Sequence, residues 1–303
     1  MKIAILSNGS GNYSTKRLKE EAENRGHEVE IIAYKKCYVS IDEKNPKVMY
    51  KGEEIDKFDV FIPRIAANMT EYGTSVVRQL ETAYPRAFFM NRSITRARDK
   101  LRSTQIMAKY SVAIPKTVFS RNSNDIDDLL EEIGGTPAII KLARGTHGNG
   151  VVLAETKKAA KSVLQAFYLT NSDGTNVLIQ EFIKESAGTD IRAFVVGSQV
   201  VASMKRQSLD DDFRSNLHKG GLGEPIKLTP EEKRMAVRAA KAMGLTIAGV
   251  DLMRSARGPL VLEVNASPGF GIEKVTYRNV AGKIIDYLER NAKRGNKKDK
   301  IGA

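Results

Sequence analysis

The chain has very little cysteine and no tryptophan. With one cysteine, Cys37, in 303 residues, a disulfide framework and a cysteine zinc cluster are both excluded. The three histidines, His27, His147 and His218, are scattered, which argues against a metal site built on imidazole. No apolar run approaches the roughly 20 residues that span a bilayer. The opening MKIAIL runs into a polar segment, so it reads as a strand and not as a signal peptide. No aromatic-rich stretch marks a dedicated nucleic-acid-binding module. These absences predict a cytoplasmic protein with no membrane partner.

What is present is a chain long enough for roughly two domains, with 41% apolar residues to build their cores. The net charge is +13. Such a balance implies acidic partners such as nucleotides, a nucleic acid or an acidic polypeptide, without choosing among them. Part of the charge lies in a basic tail, 291–303, expected to be solvated.

Lys2 to Leu6, a helix from Ser14 to Arg25 and a strand from Glu28 form a βαβ unit. Its small-residue turn lacks the dinucleotide fingerprint and reads as a tight connection. A hairpin about Lys51-Gly52, a strand near Asp59–Ile65, a helix to Ala83 and a strand at Phe88 complete an open α/β unit, whose uncovered sheet edges suggest self-association. One helix is expected from Ser93 to Tyr110. Further on, Lys141 interrupts an apolar strand, PAIIKL. A lysine there needs an anion or a carboxylate partner. The loop after it carries Gly145, Gly148 and Gly150, which would let backbone N–H groups approach phosphate oxygens. It is not a P-loop, because no Gly-Lys-Ser/Thr follows and it leads into a strand. A flexible hairpin loop with a snorkelling lysine fits equally well. Thr229-Pro230 opens a helix running to Met243, and Ile272 to Arg290 reads as one amphipathic helix.

The most informative stretch runs from Ala248 to Phe270. AGVDLM and PLVLEVN read as strands joined by the turn cluster SARG. With a loop of about five residues, Asp251 falls opposite Glu263, and Asn265 shares the face of Glu263. Opposed carboxylates repel unless one protonates or a cation sits between them. Two carboxylates and an amide oxygen suit a hard cation such as magnesium. An ordinary hairpin with two solvated acids is the plain alternative; the sharp stop at Pro268-Gly269 favours a site.

QEFI at 180–183, DIR at 190–192, GVDLM at 249–253 and LEVNASPG at 262–269 resemble the ATP-grasp superfamily. RARDKLRS, VVLAET, DFRSNLHKGG and GPLVLEVNASPG are closer still to the RimK-type ligases, which add glutamate to the C-terminus of a small-subunit ribosomal protein. The resemblance implies an α/β chain with α+β lobes: a pre-ATP-grasp domain at 1–103, then an ATP-grasp domain at 104–290. The latter divides into a lid-bearing lobe, 104–186, and a metal-bearing lobe, 187–290. It also implies roles. Lys100 and Lys141 would hold ATP phosphates. Glu181 and Phe182 would form the adenine hinge, and Asp190 would bind ribose. Arg214, Ser215 and Asn216 would lie against the phosphates and the reacting carboxylate. Asp251, Glu263 and Asn265 would hold two magnesium or manganese ions, and Arg206 would steady the acyl intermediate. L-glutamate and a ribosomal protein C-terminus or poly-glutamate chain are the implied substrates. A ligase acting on a small molecule or other carrier, and a non-catalytic nucleotide- and RNA-binding regulator, are the rival readings.

Overall fold

The computed structural model describes residues 1–121, 125–142, 150–169, 176–208 and 222–294. Strands β1 (Lys2–Leu6) and β2 (Glu28–Ile32) flank helix α1 (Tyr13–Glu23) in sequence and pair in parallel. A small antiparallel sheet follows, formed by β3 (Cys37–Ser40), β4 (Lys47–Tyr50) and β5 (Glu53–Glu54). The β4–β5 turn is at Lys51-Gly52, both with positive φ. The expected hairpin is therefore present, and β3, which the sequence analysis missed, pairs with β4. Strand β6 (Val60–Pro63), helix α2 (Thr70–Ala83) and strand β7 (Phe88–Phe89) complete a parallel sheet of order β2-β1-β6-β7. Ile3, Ala4, Ile5 and Leu6 have no exposed surface, as a strand buried on both faces requires.

The single helix expected over 93–110 is two. Helix α3 (Ile94–Arg98) stops at Asp99, whose backbone is extended, and α4 (Lys100–Lys109) begins there. The Asp99 carboxylate accepts from the Arg102 N–H at 2.9 Å, an N-cap that competes with helix continuation.

The middle region is a sheet with two helices. It contains β8 (Thr117–Ser120), α5 (Ile126–Glu132), β9 (Ala138–Leu142), β10 (Val151–Ala154), α6 (Lys157–Leu169) and β11 (Val177–Glu181). Its antiparallel sheet has the order β10-β9-β11-β8. Its core, including Ile126, Leu130, Ile140, Ala160, Leu164 and Ile179, is a cluster of its own.

The last region is a five-stranded antiparallel sheet of order β14-β13-β12-β15-β16. Its strands are β12 (Thr189–Val196), β13 (Gln199–Gln207), β14 (Leu222–Pro225), β15 (Ile247–Ser255) and β16 (Gly258–Asn265). Helix α7 (Pro230–Ala242) packs on it through Ala236, Ala239 and Ala240, all fully buried. Thr229 and Glu232 form a reciprocal capping box. The closing helix is again two: α8 (Gly271–Thr276) ends at Tyr277 in a left-handed conformation, and α9 (Val280–Asn291) restarts with Asn279 as cap.

The core clusters decide which parts can move. Ile3, Ile5 and Val60 share one cluster with Phe194, Ile247, Phe270 and Leu288. Ala4, Phe61 and Phe89 share another with Ala193, Val250 and Val264. The first and last regions are thus welded through two apolar cores, while the middle region has its own. Asn91 is the polar rivet of the weld. Buried, with φ of 52°, it donates to Ile247 O (2.8 Å) and Ala266 O (2.7 Å). It accepts from Thr246 N (2.9 Å) and Ile247 N (2.8 Å). Asn tolerates this backbone better than most residues. Asn91→Ala strands four buried backbone groups and is expected to lower stability by roughly 3 kcal/mol or more, measured by urea unfolding.

Candidate active site

Strands β15 and β16 meet in a two-residue turn, with Ser255 paired to Gly258. A regular ladder from that pair would set Asp251 opposite Leu262. A bulge at Leu262 shifts the register, so Asp251 pairs with Glu263, Val250 with Val264 and Gly249 with Asn265. The bulge therefore puts Glu263 and Asn265 on the face of Asp251. The expected five-residue loop is wrong; the expected pairing is right because the bulge supplies the offset.

Repulsion between the opposed carboxylates is relieved on the Asp251 side. Asp251 is buried, and Arg192 grips it with two hydrogen bonds, one of 2.6 Å to Oδ2. Arg206 Nη2 lies 2.9 Å from the same Oδ2. Burial disfavours the charged form, but the two guanidinium groups win and hold Asp251 down to about 2. Arg206 also pairs with Asp190, donating from Nε at 2.6 Å to Oδ1 and from Nη2 to Oδ2. Burial and the charge of Asp251 push Asp190 up to about 6, against the pull of Arg206. Residues assigned by resemblance to opposite ends of a nucleotide, Asp190 and Arg206, thus form one buried ion pair behind Asp251. Arg192, to which the sequence analysis gave no role, completes the set. The adjacency comes from strand order, because β12 lies between β13 and β15.

Glu263 is exposed, and its Oε1 accepts from Asn265 Nδ2 at 2.9 Å. The amide nitrogen of Asn265 also lies 3.4 Å from Gly249 O, so its oxygen is the free atom. Among the described residues no group of three His, Cys, Asp or Glu could hold a metal. The candidate set has only two carboxylates plus this amide. That donor set is all oxygen and incomplete, which fits magnesium when substrate phosphates and waters fill the remaining positions.

Two lysines face this set. Lys141, on β9, donates to Gln180 Oε1 at 2.7 Å, and Gln180 in turn donates to Thr117 Oγ1 at 2.9 Å. Lys100, the first residue of α4, donates to Leu142 O at 3.0 Å. Neither has a carboxylate partner within ion-pair distance among the described residues. Lys141 is half-buried as a residue, but its ammonium is enclosed. Burial lowers it to about 8; Glu263 opposes the shift and Lys100 adds to it. Burial lowers Lys100 as well, again opposed by Glu263. Glu263 is thus felt by both cations, and α4, which opens with Lys100, packs against β16, which carries Glu263.

Glu181 ends β11, where the middle region joins the last sheet. Its Oε1 accepts from Lys116 N at 2.6 Å and from the Arg257 guanidinium. Phe182 follows, half-buried. Gly150 has φ of 69°, and a Cβ there would lie 2.8 Å from the Leu142 side chain. Gly145, Gly148, Arg214, Ser215 and Asn216 lie outside the described residues.

Comparison with known proteins shows the family. The RimK PreATP-grasp domain family matches residues 1–94, and the RimK-like ATP-grasp domain family matches residues 97–288. A probable alpha-L-glutamate ligase from Picosynechococcus sp. is 55% identical over 302 residues, covering 99% of each chain. One from Hydrogenovibrio crunogenus is 54% identical over 303 residues, covering 98% of each. The ATP-grasp ligase PsnB, solved with a precursor variant, Mg and ADP, superposes with a TM-score of 0.72 at 20% identity, over 95% of this chain and 97% of that one. No helix among the described residues is long and apolar enough to cross a membrane. The chain belongs to the RimK-like ATP-grasp family of ATP-dependent carboxylate–amine ligases.

Proposed function

We propose that this enzyme uses ATP to join L-glutamate through peptide bonds to the C-terminus of a small-subunit ribosomal protein. The observation that carries the proposal is the face shared by Asp251, Glu263 and Asn265, with the charge of Glu263 acting on two lysines that have no carboxylate partner among the described residues. Lysines so placed have a reason to stay charged only when a polyanion sits between them and the acids. A bound triphosphate is that polyanion. The relatives' name supports glutamate as a substrate, and the bound Mg and ADP of PsnB support the cofactor assignment.

The acceptor carboxylate attacks the γ-phosphoryl group of ATP, the bond to the β,γ-bridging oxygen breaks, ADP leaves, and the carboxylate becomes an acylphosphate. Lys100 and Lys141 hold phosphate oxygens and neutralise charge on the group in transfer. Magnesium or manganese, two ions held by Asp251, Glu263 and Asn265, would supply further neutralisation of the phosphates. The amine of glutamate then attacks the acyl carbon and phosphate leaves. Arg206 acts from behind the metal set, fixing Asp251 in its ionised form and facing the oxyanion side. Glu181 and Phe182 form the hinge at adenine, and Asp190 orients Arg206. Gly145, Gly148 and Gly150 belong to a lid that excludes water from the acylphosphate. The independent core of 117–181 fits a lobe that moves as a unit. We assign 1–103 and 104–290 as the two domains, a cytoplasmic location, and self-association through the first domain.

The net charge of +13 suits a polyanionic product and acidic substrates, and equally a poly-glutamate acceptor. Mixing the protein with ATP, magnesium and each amino acid, with and without ribosomal proteins, separates these. Mass steps of one glutamate on one ribosomal protein are expected. Free poly-glutamate alone would move the assignment to the second acceptor.

A further inference from the structure

Next to the metal set lies a group of cations that nothing above uses. Arg64 follows β6 and reaches across the welded interface. Its Nη2 donates to Pro268 O at 2.7 Å, and its guanidinium lies 5.1 Å from the centre of the Phe270 ring. Arg98, the last residue of α3, donates from Nη2 to Ile65 O at 2.9 Å. Its Nε is buried without a hydrogen-bond partner, and so is Ser267 Oγ in the turn after β16. Neither arginine has a carboxylate within ion-pair distance among the described residues.

Position ties this group to the reaction. Ser267 and Pro268 lie two and three residues after Asn265. A Cβ on Gly249 would lie 2.9 Å from Pro268 and 3.2 Å from the Arg192 side chain that grips Asp251. The charge of Glu263 is felt at Arg98 as it is at Lys100 and Lys141. Arg64 and Arg98 thus border the metal set from the first domain.

Both arginines are half-buried, and a guanidinium drawn out of water without an anion is costly. Burial and the neighbouring charge of Arg98 lower even Arg64, to about 10. Arg98 is held at Ile65, next to Arg64, and Arg64 at Pro268, next to the free Ser267 hydroxyl; such a group suits a carboxylate, since arginine presents paired donors to a planar anion. The phosphates already have Lys100, Lys141 and the metal set. The incoming glutamate, however, reacts through its amine and keeps two carboxylates outside the new bond, and a glutamyl acceptor keeps its side-chain one; the side-chain carboxylate is the group common to both.

We propose that Arg64, Arg98 and Ser267 bind the side-chain carboxylate of a glutamyl substrate beside the metal set. The proposal rests on the ligase reading above and adds to it the residues that select an acidic side chain. Two sources share this chemistry: the incoming free glutamate and the terminal glutamate of the acceptor.

Steady-state kinetics of Arg98→Gln and Ser267→Ala test it. Ser267→Ala removes an unpartnered hydroxyl, so it leaves the fold intact, and it guards against misfolding of the arginine variant. Arg98→Gln is expected to raise a substrate KM about 10- to 100-fold, with kcat less affected and the KM for ATP unchanged. Ser267→Ala is expected to raise the same KM several-fold. A rise in the KM for free glutamate assigns the site to the incoming amino acid; a rise in the acceptor KM assigns it to the acceptor. Preference for glutamate over glutamine should fall in parallel. An unchanged KM for both substrates, or a rise confined to ATP, overturns the proposal. A second readout is independent of turnover. Millimolar glutarate should raise the melting temperature of the wild type and leave that of Arg98→Gln unmoved. No glutarate effect on the wild type overturns the carboxylate site. A wild type that consumes no ATP with glutamate sinks the ligase reading instead, and the glutarate comparison still decides the site.

Discussion

Glu263→Gln lowers glutamate-dependent ADP release by roughly a hundred- to a thousandfold and leaves the melting temperature unchanged. The side chain is exposed, and its one hydrogen bond within the set, from Asn265, survives in the amide. What disappears is the negative charge facing Lys100 and Lys141 and an oxygen donor for a hard cation. Asp251→Asn loses activity to a similar degree but also destabilises the fold. Arg192 would keep its burial and lose its carboxylate, and Arg206 would lose one of two. Breaking a buried pair from one side costs about 3–5 kcal/mol. The two substitutions should therefore look alike in turnover assays and differ in thermal unfolding. Full turnover by Glu263→Gln would remove that residue from the reaction.

Lys141→Met is expected to weaken ATP binding about 10- to 100-fold and at the same time to raise the melting temperature. Both effects have one cause. The ammonium is enclosed, with an amide oxygen as its neutral partner, and its pKa falls from 10.5 to about 8. A folded-state pKa below the unfolded value means that the charged form opposes folding. That penalty is fully present below pH ~8, shrinks as pH rises, and is gone above the unfolded value. At its largest it is roughly 3 kcal/mol. The stability gain of Lys141→Met should follow that course. Bound phosphates restore the charge, so ATP affinity in the wild type should hold steady below pH ~8 and decline above it. Lys141→Met should show no such decline. Titrating ATP calorimetrically across this range, beside thermal melts of both proteins, measures the two effects together.

The contrast between these residues shows what the sequence can disclose. The Asp251–Glu263–Asn265 set was legible because strand alternation and a turn cluster fix which side chains share a face. The bulge that aligns them was not, since Leu262 is as apolar as its neighbours and nothing local marks it. The apolar run around Lys141 advertised a buried charge without naming its partner, and Gln180 is that partner through strand pairing. Two long helices were expected where Asp99 and Tyr277 break them. Asp99 could have been read as a cap; Tyr277, an aromatic residue in a left-handed conformation, gives no such signal. Arg192, Arg64, Arg98 and Asn91 act through neighbours more than 30 residues away, with Arg64 reaching Pro268 across 204 positions. Their roles come from how sheets and domains are stacked, which periodicity does not encode.

The most direct test of the account is ATP binding to the wild type and to Glu263→Gln, with magnesium and with a chelator. If the three oxygen donors grip divalent ions on a bound triphosphate, magnesium should tighten ATP binding to the wild type at least tenfold and have little effect on Glu263→Gln. Equal tightening in both proteins, or none in the wild type, would contradict it.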